Sequence, residues 1–150
     1  MLALLSLAAT AAPTPATPGD VMAGFVGSCW QADMGSNNTD THCFSMSSGG
    51  GLVLDVHKVR DGQKTVVYEG LTAYRADAGK VTFGYYNSLG NLMPGTMSRS
   101  GDDLTGTVIM PNGVTQEVHW HLSGDSYDAT GALPGSVHYR KIGPVGDGGL

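Results

Sequence analysis

From Gly27 onward, short runs of alternating hydrophobic and polar residues follow one another, and turn-forming pairs of residues separate them. The runs are rich in Val, Thr, Tyr and Phe, which is typical of β-strands. This pattern predicts ten strands, at residues 27–34, 39–47, 51–60, 63–77, 80–88, 93–100, 103–110, 114–122, 125–132 and 136–142.

The turn-forming pairs supply the positive φ angles that tight hairpins need, so strands that follow each other in sequence should be neighbours in the sheet. An open meander of this size would leave two exposed edges, which favours closure into a barrel; a two-sheet sandwich is the alternative. The predicted fold class is all-β, a single closed antiparallel up-and-down meander barrel of about ten strands with a short N-terminal helix. The pairs are Asp61-Gly62, Ala78-Gly79, Gly101-Asp102, Asn112-Gly113, Ser123-Gly124 and Pro134-Gly135.

The segment before the first strand has a different pattern, which predicts the short helix from Asp20 to Val26. Asp20 is expected to be its N-cap, and Val21, Met22 and Phe25 are expected to pack inward. This segment is the start of the predicted barrel domain.

Residues 1–12, MLALLSLAATAA, are small and apolar and offer Ala9-Thr10-Ala11 as a cleavage site, which is typical of a secretory signal. A disordered tail is the alternative. Residues 13–19, PTPATPG, have the composition of a Pro/Thr linker. We therefore assign 1–19 to a signal-like segment and linker and 20–150 to the β-barrel domain, and we expect a secreted or periplasmic protein.

Charge and cysteine content narrow the choice of partners. The net charge is -5 and there is no basic run, which argues against nucleic acid and anionic membrane as partners. The apolar N-terminal stretch is too short to span a bilayer, so no transmembrane segment is predicted. The oligomeric state stays open. In an exported chain, the pair Cys29 and Cys43 suggests a disulfide, with two free buried thiols as the alternative.

Hairpin geometry predicts which side chains share a face. With Asp61-Gly62 as a two-residue turn, Asp55 would lie opposite Tyr68; with Ala78-Gly79 as the next turn, Tyr74 would lie opposite Phe83. A cross-strand cysteine pair would place Trp30 opposite His42. In the last three strands we assign the face of Trp120 to the interior, and a β-bulge would exchange the two faces. The candidate interior and ligand-binding residues are Trp30, His42, Asp55, His57, Tyr68, Tyr74, Tyr85, Asn87, Trp120, Tyr127, His138 and Arg140.

This interior would mix aromatic rings with polar groups, whereas a core built only for stability would prefer Val, Ile and Leu. Unpaired buried polar groups are costly, so Asp55, His57, Asn87 and Arg140 each need a partner. A ligand cavity would supply one. The alternative is that these residues line a solvated mouth or pair among themselves.

The residues Gly27-Ser28-Cys29-Trp30 resemble the lipocalin opening, a Gly-x-Trp motif, although the spacing here is Gly-x-x-Trp. Ten strands are similar to the fatty-acid-binding and nitrobindin branches of the calycin-like group. The resemblance covers nearly all of the chain after Gly27. It implies a closed barrel with a small-molecule cavity and carries no reaction. The segments that are similar to small uncharacterised bacterial lipocalin-like proteins are Asp40-Thr41-His42-Cys43-Phe44, Asp55-Val56-His57 and Tyr86-Asn87-Ser88.

Catalytic and metal-binding alternatives rest on the acidic residues and histidines. Asp55 and His57 share a face and could form an Asp-His pair that tunes a base. His119 and His121 also share a face and could hold a metal with Asp128, but two surface histidines are the more common meaning of this pattern. A haem ligand would need one inward histidine, and the sequence does not select one. We therefore expect no cofactor and no metal.

The predicted function is binding of a small, partly apolar molecule in the interior cavity of an exported lipocalin-like barrel. One alternative is an enzyme that uses the Asp-His pair in the same cavity. Another is a metal-binding or structural and interaction barrel without a small-molecule ligand. Whether the chain is catalytic stays open.

Overall fold

The computed structural model of the chain describes residues 16–131 and 134–146. In this part, ten antiparallel strands form one closed barrel in which each strand pairs with its sequence neighbours and the first pairs with the last, so the predicted fold class is confirmed. The predicted signal segment lies outside the described residues. The elements are α1 (Pro18–Val21), β1 (Ser28–Asp33), β2 (Thr39–Met46), β3 (Leu52–Arg60), β4 (Val66–Asp77), β5 (Lys80–Asn87), β6 (Leu92–Ser100), β7 (Asp103–Ile109), β8 (Thr115–Ser123), β9 (Ser126–Thr130) and β10 (Ser136–Pro144).

The helix is shorter than predicted and begins at Pro18, inside the segment assigned to the linker. Thr17 is its N-cap, not Asp20: the Thr17 hydroxyl accepts from the Asp20 backbone N–H, and the Asp20 carboxylate accepts from the Thr17 backbone N–H. This reciprocal pair is a capping box, which satisfies two backbone donors at once. The prediction named Asp20 as the N-cap, but the N-cap is Thr17, the other residue of the capping box.

The segment from α1 to β1 closes one end of the barrel. Val21, Met22 and Phe25 are buried there, as predicted. Arg99, from β6, donates hydrogen bonds to the backbone oxygens of Val21 and Ala23 and so ties the segment to the barrel wall. We call this the helix end, and the opposite end, where the β1–β2 and β3–β4 connections lie, the loop end.

Two hairpins have the predicted register. At the β4–β5 turn, Ala78 and Gly79 have φ angles of 48° and 80°, as a tight hairpin of this twist requires, and Tyr74 pairs with Phe83. Between β1 and β2, Cys29 pairs with Cys43. The two cysteines form the predicted disulfide.

The register predicted for the β3–β4 hairpin is wrong, although the faces are right. Asp55 pairs with Thr72, and Tyr68 pairs with Val59. The connection is a loop rather than a two-residue turn, because the Asp61 carboxylate accepts from the backbone N–H groups of Gln63 and Thr65. Asp55 therefore lies opposite a residue four positions from the predicted one. Side chains alternate with a period of two, so an even shift leaves every residue on its predicted face.

The face predicted for β10 is also wrong. His138 and Arg140 are exposed on the outside, and Tyr139 is buried, with 5% of its surface exposed. Tyr139 pairs with Tyr127 on β9, and the two rings stack with centroids 4.5 Å apart. A buried tyrosine pair removes more apolar surface from water than an inward His138 or Arg140 would, so packing selects the register that is one residue away.

No helix in the described part of the chain is long and apolar enough to cross a membrane.

Candidate functional site

The interior of the barrel at the helix end is filled with aromatic rings. The Phe25 ring lies between 5.1 and 5.7 Å, centroid to centroid, from four other rings. Three of those four side chains are fully or almost fully buried. This aromatic core consists of Phe25, Trp30, Phe44, Trp120 and Tyr127.

Towards the loop end the inward positions become polar. Asp40 and His42 alternate with outward residues on β2, and Asp55 and His57 do so on β3. Strand pairing places His42 opposite His57, and the two imidazole rings stack with centroids 4.3 Å apart and planes 12° apart. The stacking aligns the rings, so that both can turn an edge towards the same neighbour.

Each histidine has a partner on Nδ1. His42 Nδ1 lies 2.8 Å from Asp55 Oδ2, and because a carboxylate only accepts, the imidazole donates here. His57 Nδ1 lies 3.0 Å from the Tyr85 hydroxyl, which in turn lies 2.7 Å from the Tyr68 hydroxyl. Both histidines are therefore held in one orientation by a side chain from another part of the barrel.

Gly70 makes the contact between His57 and Tyr85 possible. Tyr85 lies on β5, and Gly70, on β4 between the two, pairs directly with His57. A Cβ atom at Gly70 would overlap the Tyr85 ring. The missing side chain lets the ring cross β4 and reach His57.

Asp40 links the two histidines. Its Oδ1 lies 2.6 Å from His57 Nε2, and its Oδ2 lies 3.6 Å from His42 Nε2. The Tyr139 hydroxyl donates a 2.7 Å hydrogen bond to Oδ2. We call the resulting group of seven side chains the polar cluster: Asp40, His42, Asp55, His57, Tyr68, Tyr85 and Tyr139.

The cluster holds charges in a mostly buried place. Burial alone would lower the pKa of His42, but the charge of Asp55 and the contacts with both carboxylates outweigh it and raise that pKa to about 10. Burial would likewise raise the pKa of Asp40, but the His42 and His57 rings hold it below its ordinary value. At neutral pH, His42 is therefore an imidazolium and Asp40 a carboxylate.

The buried tyrosines stay neutral. Burial, with the hydrogen bond to Tyr68 next, raises the pKa of Tyr85 far above its ordinary value. Burial and the charge of Asp40 do the same for Tyr139. Tyr139 is therefore a permanent donor to the Asp40 carboxylate over the physiological pH range.

The polar cluster is not sealed from the loop end. About 14% of the His42 side chain and 13% of the His57 side chain are exposed, against 5% for Asp40 and 2% for Asp55. Half-buried apolar side chains pack against the core near the strand ends at this end of the barrel; they are Met34, Met110 and Val137. The histidines are therefore partly open to solvent, and apolar surface is available at the same end of the barrel.

The structure brings together five of the predicted site residues in the polar cluster: His42, Asp55, His57, Tyr68 and Tyr85. Trp30, Trp120 and Tyr127 belong to the aromatic core instead, and Tyr74 packs on Phe83. The side chain of Asn87 has a local role, since its Oδ1 accepts from the backbone N–H groups of Leu89 and Asn91.

His138 and Arg140 lie outside the barrel, on a groove along the β1–β10 seam, so their predicted interior position is wrong. His138 Nδ1 contacts Asp128 Oδ1 at 2.8 Å. Two members of the polar cluster, Asp40 and Tyr139, were missing from the predicted site. The alternation that placed His42 inside would have found Asp40, which lies two residues before it on the same strand. Tyr139 could have been included only if the register of β10 had been known.

Asp55 and His57 each contact a residue other than the one with which they were predicted to pair. Asp55 and His57 share a face, but Asp55 contacts His42 on the neighbouring strand, and His57 contacts Asp40 and Tyr85. The exterior histidines do not converge: His121 contacts Asp103 at 2.6 Å, and His119 lies 3.7 Å from Glu117. Their side chains are 58% and 54% exposed.

No protein-family model matches the chain, and no curated protein matches it significantly. The closed ten-stranded antiparallel barrel is compatible with a calycin-like fold. The likeness to calycins therefore rests on the number and order of the strands and not on a sequence match.

Proposed function

We propose that this protein is an exported barrel that binds a small, partly apolar molecule at the loop end, with the polar cluster as the group that recognises it. The observation that carries the proposal is the contrast between a packed aromatic core and two carboxylates, two imidazoles and three phenols gathered in the same interior. Stability alone favours apolar residues at such positions, because every buried polar group must be satisfied.

The chemistry of the cluster favours a ligand that donates hydrogen bonds. Asp55 Oδ1 is buried and has no hydrogen-bond partner among the described residues, and Asp40 Oδ1 has only the 2.6 Å contact with His57. Two such carboxylate oxygens suit an amine, amide or hydroxyl group of a ligand. The half-buried Met34, Met110 and Val137 at the same end suit the remainder of the molecule.

A binding role fits the charges better than catalysis by an Asp-His pair does. A general base should have a pKa near the working pH. Asp55 keeps its partner His42 protonated, with the pKa raised to about 10. His42 is therefore protonated at neutral pH, and in that state it can orient a ligand but does not accept its proton.

The disulfide supports export, since such bonds persist in oxidising compartments and are rare in the cytosol. Extracellular or periplasmic placement follows from the same proposal.

Native mass spectrometry of the full chain purified from its own host tests the proposal directly. We expect an additional mass of an organic molecule on the folded protein that is lost on denaturation. Tyr85→Phe should lower the fraction of ligand-bound protein, because the hydroxyl orients His57 and Tyr68. Tyr86→Phe is the matched control, since Tyr86 is the next residue, lies on the outer face and is 53% exposed.

Arg140→Gln should also leave the bound fraction unchanged, because Arg140 lies outside the barrel. A folded wild-type protein that carries no organic mass from its own host would contradict the proposal. Equal losses in Tyr85→Phe and Tyr86→Phe would exclude the polar cluster as the recognition group.

A further inference from the structure

We propose that Asp40, His42 and His57 form a binding site for a divalent transition-metal ion such as Zn²⁺. One potential ligand atom from each of these three residues lies within 4.8 Å of the other two. The inference does not depend on the proposed small-molecule ligand, because it follows from the arrangement of these side chains alone.

The spacing of the ligand atoms is close to what an ion requires. Zinc–ligand bonds of 2.0–2.1 Å in a tetrahedral site put neighbouring ligand atoms about 3.3 Å apart. Asp40 Oδ1 lies 2.6 Å from His57 Nε2, and Asp40 Oδ2 lies 3.6 Å from His42 Nε2. The two imidazoles therefore approach the same carboxylate, one at each oxygen, at separations on either side of the tetrahedral value.

The contact between His57 and Asp40 is close but poorly aligned. His57 Nε2 and Asp40 Oδ1 are 2.6 Å apart and both are buried, yet neither has a hydrogen-bond partner of regular geometry among the described residues. Asp40 itself is 3% exposed. Two buried acceptor-capable atoms this close must share a proton or a metal ion between them, and a metal ion bound there would satisfy both.

Each of the three ligands also has an outer partner that fixes its orientation. His42 Nδ1 is held by Asp55, His57 Nδ1 by the Tyr85 hydroxyl, and Asp40 Oδ2 by the Tyr139 hydroxyl. Metal-bound histidines almost always donate their second ring nitrogen to a carboxylate, carbonyl or similar group, which sets the tautomer and leaves Nε2 for the ion. His42 meets this condition through Asp55, and His57 meets it in the tautomer that donates its Nδ1–H to the Tyr85 hydroxyl.

The donor set selects the class of ion. Two imidazoles and one carboxylate suit zinc or another first-row divalent ion, whereas calcium and magnesium prefer oxygen ligands only. Three protein ligands leave one coordination position for water or a ligand, on the side where the histidines are exposed. An ion that binds here takes the place of the proton on His42 Nε2, which passes to solvent.

The exterior pair His119 and His121 provides a matched control within the same chain. These two residues lie two apart on β8, as Asp40 and His42 do on β2, but each contacts a different carboxylate, Glu117 or Asp103, and the side chains are more than half exposed. If two histidines with nearby carboxylates were enough to bind the ion, the exterior pair would do so as well.

The experiment is a zinc titration of the full folded chain, stripped of metal with a chelator, in competition with a zinc-binding dye. We expect one equivalent to bind to the wild type. His57→Gln should abolish this binding, and His119→Gln/His121→Gln should retain it. Asp55→Asn should weaken it by about 10–100-fold, as loss of an outer partner does. Circular dichroism and a thermal melt establish that each variant is folded.

Cobalt titration adds a spectroscopic test, because a tetrahedral cobalt complex absorbs visible light far more strongly than the hydrated ion. Absence of stoichiometric zinc binding to the wild type would overturn the proposal, as would binding that survives in folded His57→Gln. If His57→Gln does not fold, Asp55→Asn is the deciding variant. A zinc affinity of Asp55→Asn equal to that of the wild type overturns the proposed metal site. Since mass spectrometry separates a metal ion from an organic molecule, failure here leaves the proposed small-molecule function to be judged by itself.

Discussion

The two ends of the barrel interior have the same backbone architecture but opposite chemistry. At the helix end, the aromatic core packs Phe25 against four rings and seals the barrel with α1 and the segment after it. At the loop end, the polar cluster joins two carboxylates, two imidazoles and three phenols, and its histidines are in contact with solvent. The difference assigns stability mainly to the helix end, and it is the reason why we propose recognition at the loop end.

The largest effect should come from the aromatic core. Phe25→Ala removes a fully buried ring that contacts four others, and it should lower the free energy of unfolding by about 3–5 kcal/mol. Urea denaturation followed by tryptophan fluorescence measures this change. Leu89→Ala is the control, because Leu89 is 73% exposed and its truncation should cost little. A loss below about 1 kcal/mol in Phe25→Ala would mean that this end is not the stabilising one.

The disulfide supports both ends, because it joins the two strands that carry Trp30 and His42. It closes a short loop, and in the chain-entropy model a loop of about 15 residues contributes about 3 kcal/mol. The double variant Cys29→Ser/Cys43→Ser should lose this amount in urea denaturation while the barrel still folds. Reduced wild-type protein should show the same loss. If oxidised and reduced protein unfold at the same urea concentration, the bridge contributes nothing to stability.

The polar cluster should make stability depend on pH in a way that the aromatic core cannot. Folding raises the pKa of His42 from 6.5 to about 10, so its contribution is complete below pH 6.5 and is lost as the pH rises towards 10. Folding lowers the pKa of Asp40 from 3.8, so its contribution is complete above pH 3.8 and is lost in more acidic solution. Stability of the metal-free, ligand-free protein should therefore be greatest between these limits.

The groups that face His42 are Asp40 from β2, Asp55 and His57 from β3, and Tyr139 from β10. Urea midpoints are measured from pH 6 to pH 9, a range that lies below the ordinary tyrosine pKa of about 10. The midpoint should fall over this range in the wild type and in His121→Gln, and should change much less in His42→Gln. A flat profile in the wild type would contradict the buried ion pair.

The smallest effect concerns the solvent exposure of the two tryptophans. Trp30 is 0% exposed, whereas Trp120 is only partly buried. Acrylamide should therefore quench Trp120 measurably faster than Trp30, and both more slowly than free indole. Trp30→Phe and Trp120→Phe separate the two signals. Equal quenching of both at the rate of free indole would invert the assignment of the inner face.

Sequence pattern predicts most of this barrel because hairpins with short turns fix the register of neighbouring strands. The Ala78-Gly79 turn led to the correct pairing of β4 with β5. Even the wrong β3–β4 register kept Asp55, His57 and Tyr68 inside, because the shift was even. At β10 a shift of one residue exchanged Tyr139 for His138 and Arg140, since both faces of that strand are mixed and the loop before it does not fix the register.

The pairing within the polar cluster could not be predicted from alternation. Alternation tells which residues share a face, but not which of several acidic residues each histidine contacts. That choice depends on the empty space at Gly70, because it lets the Tyr85 hydroxyl reach His57 Nδ1. Asp55 then contacts His42 Nδ1. A position with no side chain gives no hydrophobic or polar signal, so its role became visible only in three dimensions.

The pairing of β1 with β10 has a consequence for the order in which the molecule can be completed. Ribosomes synthesise a chain from its N-terminus, so β10 becomes available after the other nine strands. Until it docks, β1 and β9 present unpaired edges to other chains. The hydrogen bond from Tyr139 to Asp40 joins residues 99 positions apart and depends on this last strand. The site that we propose for recognition is therefore assembled only when the barrel closes, and a nascent chain that has not closed holds no complete site.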